Sequence, residues 1–227
     1  LFFINFKYQQ NSFFTMNSKL MALLAALLLF FPAAFAQSGS IKLLAVSESD
    51  NGTFVGSIVD LNLEIKKGEG RVFIDSFPLT KIDTQITTRT AKQIACDYAA
   101  KNCENYDFFY KINSSAFTVG GPSAGAATTA LTIAVLEGLQ IDGSVAVTGT
   151  INSGNIVGTV GGIKEKIAAA SRGGVKKVLI PFGEAFVNED NETMNFEEYG
   201  RGMNITVIEV STLDEVMEII TGAKRKE

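Results

Sequence analysis

GPSAG, residues 121–125, is the stretch on which the reading of this chain turns. Taken literally it is Gly-x-Ser-x-Gly, the pattern of a serine hydrolase's nucleophile elbow, in which a sharp turn into a helix exposes the hydroxyl. That mechanism needs an imidazole to carry the serine proton to the leaving group. The chain has 227 residues and no histidine, so the elbow's triad is excluded. A phosphate loop is excluded on similar grounds: Gly120 and Gly125 have the spacing, but Ala126 and Ala127 stand where a lysine and a hydroxyl residue are required. Two readings survive. Either the stretch is a glycine turn with Ser123 near a helix N-terminus, where serine commonly caps, or Ser123 is a nucleophile activated by a side chain other than histidine.

Working outward from the turn, helical spacing predicts a helix over Ala126–Leu136, then a short buried strand Val145–Thr148 and a glycine-rich, hairpin-like stretch Gly154–Gly162. A helix Ile163–Arg172, strands Lys177–Pro181 and Asn204–Val210, and a closing helix Thr212–Ile220 follow. On the other side, Ile41–Val46, Thr53–Ile65 and Arg71–Ser76 alternate β-branched residues between turn-forming ones and read as an antiparallel strand system. They lead into a helix over Ile82–Asn102, with Asp83 or Thr84 as its candidate N-cap, and a strand Tyr106–Ile112. Strands come first and helices later, so the expected class is α+β, with residues 37–227 forming one domain.

A serine without histidine can be activated by the neutral amine of a lysine, provided that burial strips its proton near neutral pH. Such a lysine belongs among small apolar residues. Lys166 stands in GGIKEKIAAA, residues 161–170, where three alanines follow it.

GPSAG, then Val147-Thr148-Gly149, then GGIKEKIAAA, then GGVKKVLIP at 173–181 together resemble the proteolytic domain of Lon proteases, in the same order and without gaps. The resemblance is clear over about residues 119–182, with 55–102 as a divergent first half. It implies a single Lon-type proteolytic domain and a Ser-Lys dyad with Ser123 as nucleophile and Lys166, the second lysine of the segment, as base. Lys164 is the rival; two residues apart on a helix means about 200°, so only one of the two can face the serine. Thr148 matches the family threonine whose hydroxyl contacts the catalytic lysine, and the oxyanion donors are expected on the backbone of Ser123 and of Gly121 or Gly120. Gly120 also departs from the pattern, since many family members carry an acidic residue there. The resemblance further implies a homo-oligomer, a six-membered ring, acting on unfolded or flexible polypeptides, with no cofactor and no metal.

The flanking sequence bears on where this would happen. Leu1–Thr15 reads as an upstream extension, and Met16–Ala36 as a signal peptide: Lys19, an apolar run Leu20–Phe31, then Ala34-Phe35-Ala36 before a cut. The alternative is a membrane anchor through Leu20–Ala36, at the lower limit for spanning and interrupted by Pro32. Cleavage removes Lys7 and Lys19 and takes the net charge from −4 to −6, which argues against a nucleic-acid partner. Sequons at Asn51, Asn113, Asn191 and Asn204 fit an exported surface. Cys96 and Cys103 would lie about 10 Å apart on a continuous helix, too far to bridge; if the helix stops near Asn102, a disulfide becomes feasible. The expected location is secreted or extracytoplasmic. Without room for an ATPase module beside the domain, the expected activity is an ATP-independent serine endopeptidase, and the alternative a catalytically weak Lon-like scaffold for exported polypeptides.

Overall fold

The computed structural model describes residues 37–49, 51–77, 79–114, 121–189 and 192–224. The extension Leu1–Thr15, the signal or anchor segment Met16–Ala36, Gly120 and the Asn191 sequon lie outside the described residues. Among the described residues, no helix is long and apolar enough to cross a membrane.

The domain is built on a long hairpin. Strand β1 (Gln37–Glu48) pairs antiparallel with β2 (Phe54–Lys67), from Gln37 opposite Ile65 to Glu48 opposite Phe54. On the far side of β2 lies β4 (Tyr106–Ser114), antiparallel, and outside it β3 (Val72–Phe77), which pairs in parallel with β4 and forms the sheet edge. The antiparallel N-terminal system is therefore β1, β2 and β4; β3 reaches its edge place only because the helix α1 (Ile82–Tyr98) lies between it and β4 and makes the crossover a parallel connection requires. The other half of the sheet is parallel: β5 (Val145–Val147) beside β1, then β8 (Lys177–Pro181), then β11 (Thr206–Val210). The class is α+β, with antiparallel strands first and mixed strands and helices after.

Period-two alternation along the strands feeds two apolar layers. Leu43, Val147 and Leu179 join one core, with α1, α2 (Gly125–Glu137) and α5 (Leu213–Thr221). Leu44, Ala146 and Ile180 join the other, with α3 (Ile163–Arg172) and α4 (Phe196–Arg201). Strands β5 and β8 are apolar at nearly every position because both of their faces are covered. Outside the main sheet, β6 (Thr150–Ile151) and β7 (Val157–Gly158) form the glycine-rich hairpin, and β9 (Phe186–Glu189) with β10 (Glu192–Asn195) a second small one.

Local chemistry sets the boundaries. Helix α1 begins behind Lys81, with no side-chain cap, so Asp83 sits in its first turn and neither Asp83 nor Thr84 is the N-cap; the apolar face starts at Thr84, and burying it draws the turn before into the helix. The helix ends at Tyr98 rather than Asn102. Ala100 takes a positive φ of 49°, and the amide of Lys101 donates back to the carbonyl of Cys96. The chain thereby reverses, and Cys103 comes within 6.1 Å Cα–Cα of Cys96 and forms a disulfide with it. Helix α5 carries a capping box: Thr212 Oγ1 accepts from the Glu215 amide at 3.3 Å, and Glu215 Oε2 accepts from the Thr212 amide.

Candidate active site

GPSAG folds as a single 3-10 turn, Pro122–Ala124, leading directly into α2. Gly121 enters the turn at φ 119°, a conformation that favours glycine, and Pro122 fixes the first position. The N-cap of α2 is Ala124, without a side-chain bond, so Ser123 caps nothing. Among the described residues its Oγ has no hydrogen-bond partner, and it faces a cleft of about 370 Å³. The reading of GPSAG as a capped glycine turn thus finds no support in the hydroxyl itself.

The turn is tied to the end of β5 at two points. The Gly149 amide donates to the Ser123 carbonyl at 2.9 Å, and the Ala126 amide donates to the Gly149 carbonyl at 3.0 Å. A side chain at 149 would collide with Val157 and come within 3.3 Å of the Ala126 methyl, so the clamp needs glycine. The preceding residue, Thr148, is fully buried; its own amide donates to Leu179. Threonine and serine are therefore held in one frame through consecutive backbone groups.

Lys166 enters from the opposite wall, on the first turns of α3, and is 2% exposed. Its Nζ donates to Thr148 Oγ1 at 2.9 Å. Ser123 and Lys166 line the same cleft, yet no direct hydrogen bond joins them. The remaining wall comes from Leu44, Val46 and Val59 of the hairpin, Thr84 and Thr88 of α1, and Val160. All other lining residues are uncharged, and among the described residues no carboxylate pairs with Lys166. Burial without a counter-charge disfavours the ammonium, and it draws the Lys166 pKa from the usual 10.5 down to about 8. Lys164, the rival, is half-buried on a different side of α3, outside the cleft lining.

The structure thus brings Ser123 and Lys166 to one cleft, with Gly121 on its rim and Thr148 buried outside its lining, against the Lys166 amine; Gly120 falls outside the described residues. The sequence pass missed the threonine wall of α1. Its signal was present, since Thr84, Thr87 and Thr88 recur at helical spacing on the buried side.

Comparison with known proteins bears on the whole of this arrangement. The chain is 31% identical over 189 residues to the archaeal Lon protease of Archaeoglobus fulgidus, covering 83% of this chain and 29% of that protein. It is 28% identical over 200 residues to the archaeal Lon protease of Methanothermobacter thermautotrophicus, covering 87% and 29%, and 32% identical over 141 residues to the Lon protease of Orientia tsutsugamushi, covering 59% and 17%. It spans under a third of the length of these relatives. The family model for the Lon protease (S16) C-terminal proteolytic domain matches residues 70–222, and the chain belongs to that family.

Proposed function

We propose that this chain is a serine endopeptidase in which Ser123 is the nucleophile and Lys166 the base, acting on unfolded or flexible polypeptides. The observation that carries the reading is a lysine almost wholly buried on the same cleft as a serine, with a threonine hydroxyl as its hydrogen-bond partner and, among the described residues, no acid to hold its proton. A lysine placed only for structure would cost about 3 kcal/mol at neutral pH for a group titrating near 8.

The chemistry follows from the partners. Neutral Lys166 has two N–H bonds and one lone pair. Thr148 accepts one N–H and leaves the lone pair free to take a proton. Ser123 Oγ attacks the scissile carbonyl while its proton passes to Lys166; the ammonium then protonates the leaving amine, and an ester on Ser123 remains. Water, deprotonated by the same amine, hydrolyses the ester. The oxyanion is held by backbone N–H groups at the 3-10 turn and just before it, those of Ser123 and of Gly121 or Gly120. Proton transfer requires Lys166 and Ser123 to close the contact that the structure leaves open, as catalytic hydrogen bonds commonly do when substrate binds.

The unmade Ser123–Lys166 bond is also what favours the second reading, a catalytically weak scaffold. One experiment separates them. Hydrolysis of casein, with and without ATP, is expected to proceed without ATP and to fall by about a thousandfold or more in Ser123→Ala and in Lys166→Ala. Hydrolysis that survives in either folded variant removes that residue from the dyad. Failure of a fluorophosphonate probe to label Ser123 anywhere between pH 7 and 9 supports the scaffold.

The setting of the reaction is part of the proposal. Export through Met16–Ala36, as signal or anchor, places the domain outside the cytoplasm, where little ATP is met; the Cys96–Cys103 disulfide is at home in such an oxidising compartment. Sequencing the mature N-terminus tests a cut after Ala36, and sedimentation tests assembly into a ring.

A further inference from the structure

Helix α3 does not simply rest on the sheet; it is sunk into the β1–β2 hairpin at three glycines. Gly162, at its N-cap, lies so near β1 that an added Cβ would stand 2.7 Å from Val46 Cγ2. Gly173, just past its last residue, leaves room for the Ile58 side chain of β2. Between them is the closest approach to helix backbone. At Gly56, buried on β2, a Cβ would fall well inside contact distance of the Glu165 carbonyl oxygen, 2.5 Å from its carbonyl carbon and 3.1 Å from Ala169 Cβ. The group in the way at Gly56 is helix backbone, which cannot rotate aside as a side chain can. The carbonyl of Gly56 is itself held, accepting from Arg172 Nη2 at 3.1 Å.

Glu165 is the residue before Lys166. The depth to which its carbonyl sinks against β2 therefore sets the height of the Lys166 backbone, and with it the reach of Nζ to Thr148, just past the end of β5. We infer that Gly56 is a positioning residue for Lys166: its missing side chain fixes the depth of α3, and so holds the amine against Thr148 and beside Ser123. This rests on the reading of Lys166 as the base. The other contacts specify that depth less narrowly: at Gly162 and Gly173 the neighbours are the Val46 and Ile58 side chains, and the apolar residues of α3 facing the sheet, Ile163, Ile167 and Ala170, can repack over a few tenths of an ångström.

The test is Gly56→Ala, with Gly68→Ala as control. Gly68 lies just past the other end of β2, crowded by the Asp107 carboxylate and remote from α3. Two readouts are taken: kcat and KM for peptide hydrolysis, and direct titration of Lys166 by NMR of lysine-labelled protein, with its resonance assigned from the Lys166→Met spectrum. In Gly56→Ala, kcat is expected to fall by about a hundredfold with KM within about threefold, as for a catalytic group moved by about an ångström. Lys166, lifted toward solvent, is expected to titrate at about 9 or above instead of about 8. Gly68→Ala is expected to leave the titration unchanged. An unchanged Lys166 midpoint in folded Gly56→Ala overturns the inference, whatever kcat does, as does an equal rise in Gly68→Ala. If Gly56→Ala does not fold, Arg172→Ala, which removes the hydrogen bond tying the end of α3 to the Gly56 carbonyl, is read in its place: a raised Lys166 midpoint supports a depth set at Gly56, and an unchanged one overturns it. Peptide hydrolysis that survives Ser123→Ala would sink the dyad while leaving the titration to decide the role of Gly56.

Discussion

The two helices that flank the cleft solve opposite problems. Helix α2, which follows Ser123, is buried at every residue from Gly125 to Leu136, and only Glu137 at its end is exposed. Such a helix has no polar face, so it belongs wholly inside the core. Its hydroxyls turn inward: Thr128 donates to the Ala124 carbonyl at 2.8 Å, Thr132 to the Thr128 carbonyl at 2.7 Å, and Tyr110 Oη lies 2.8 Å from Thr132 Oγ1. Helix α3 is a surface helix with one apolar side, and it buries a lysine there. The serine is thus delivered by an element with nowhere to move, and the lysine by one whose placement depends on a strand carrying a glycine. The frame of the nucleophile is therefore held by the core, whereas the position and proton affinity of the base are set by local contacts and are the more easily altered.

The largest effect should come from breaking the rigid side. Leu131 is fully buried on α2, and Leu131→Ala is expected to cost about 2–5 kcal/mol, read as a lower denaturant midpoint at unchanged slope. A cost below about 1 kcal/mol would mean that α2 can relax into the space, and the comparison of the two helices would fail.

The adjustable side predicts the opposite sign. In the native chain Lys166 gives up its proton near 8, whereas the unfolded chain keeps it to about 10.5. Between these values the unfolded state binds more protons, so native stability rises with pH; below about 8 the penalty is present in full. Lys166→Met is therefore expected to be more stable than the parent at pH 7, by about 1–3 kcal/mol once the lost hydrogen bond to Thr148 is set against the gain. That advantage should shrink by about 2 kcal/mol between pH 7 and 9.5. Denaturant unfolding of both proteins at the two pH values measures it, and a gap that stays constant with pH rejects the buried, depressed amine. The same titration predicts that kcat of the parent rises tenfold per pH unit toward a plateau above about 8.

These contrasts also explain which parts of the molecule were legible in the sequence. Helix α3 was read at its observed bounds, 163–172, because glycines fence it on both sides and its apolar residues keep helical spacing; β8 was read as cleanly, as an apolar run ending in proline. The cluster of Ser123, Thr148 and Lys166 was legible through motifs in register. What sequence could not supply was pairing over distance. The parallel partner of β3 lies across α1, and an alternating strand carries no sign of which neighbour it will meet. The hairpin of β9 and β10 and the short α4 were missed, since four-residue strands around polar turns give too few periods to register. Gly56 read as an ordinary strand residue; only the helix lying on it gives the missing side chain a meaning.

The smallest expected effect separates two lysines on one helix. Lys164 and Lys166 lie about 200° apart on α3. Lys166 is buried against Thr148, whereas Lys164 is half-buried, outside the lining of the cleft, and among the described residues has no ion pair. If position relative to the cleft is what makes a base, Lys164→Ala should change kcat/KM for a peptide substrate by less than about twofold and stability by less than about 0.5 kcal/mol, in the range of ordinary surface substitutions. Lys166→Ala in the same assay should abolish turnover. A large loss in Lys164→Ala with an unchanged Lys166 titration would mean that the first lysine of the pair touches the reaction, and the assignment of the base would have to move by half a helical turn.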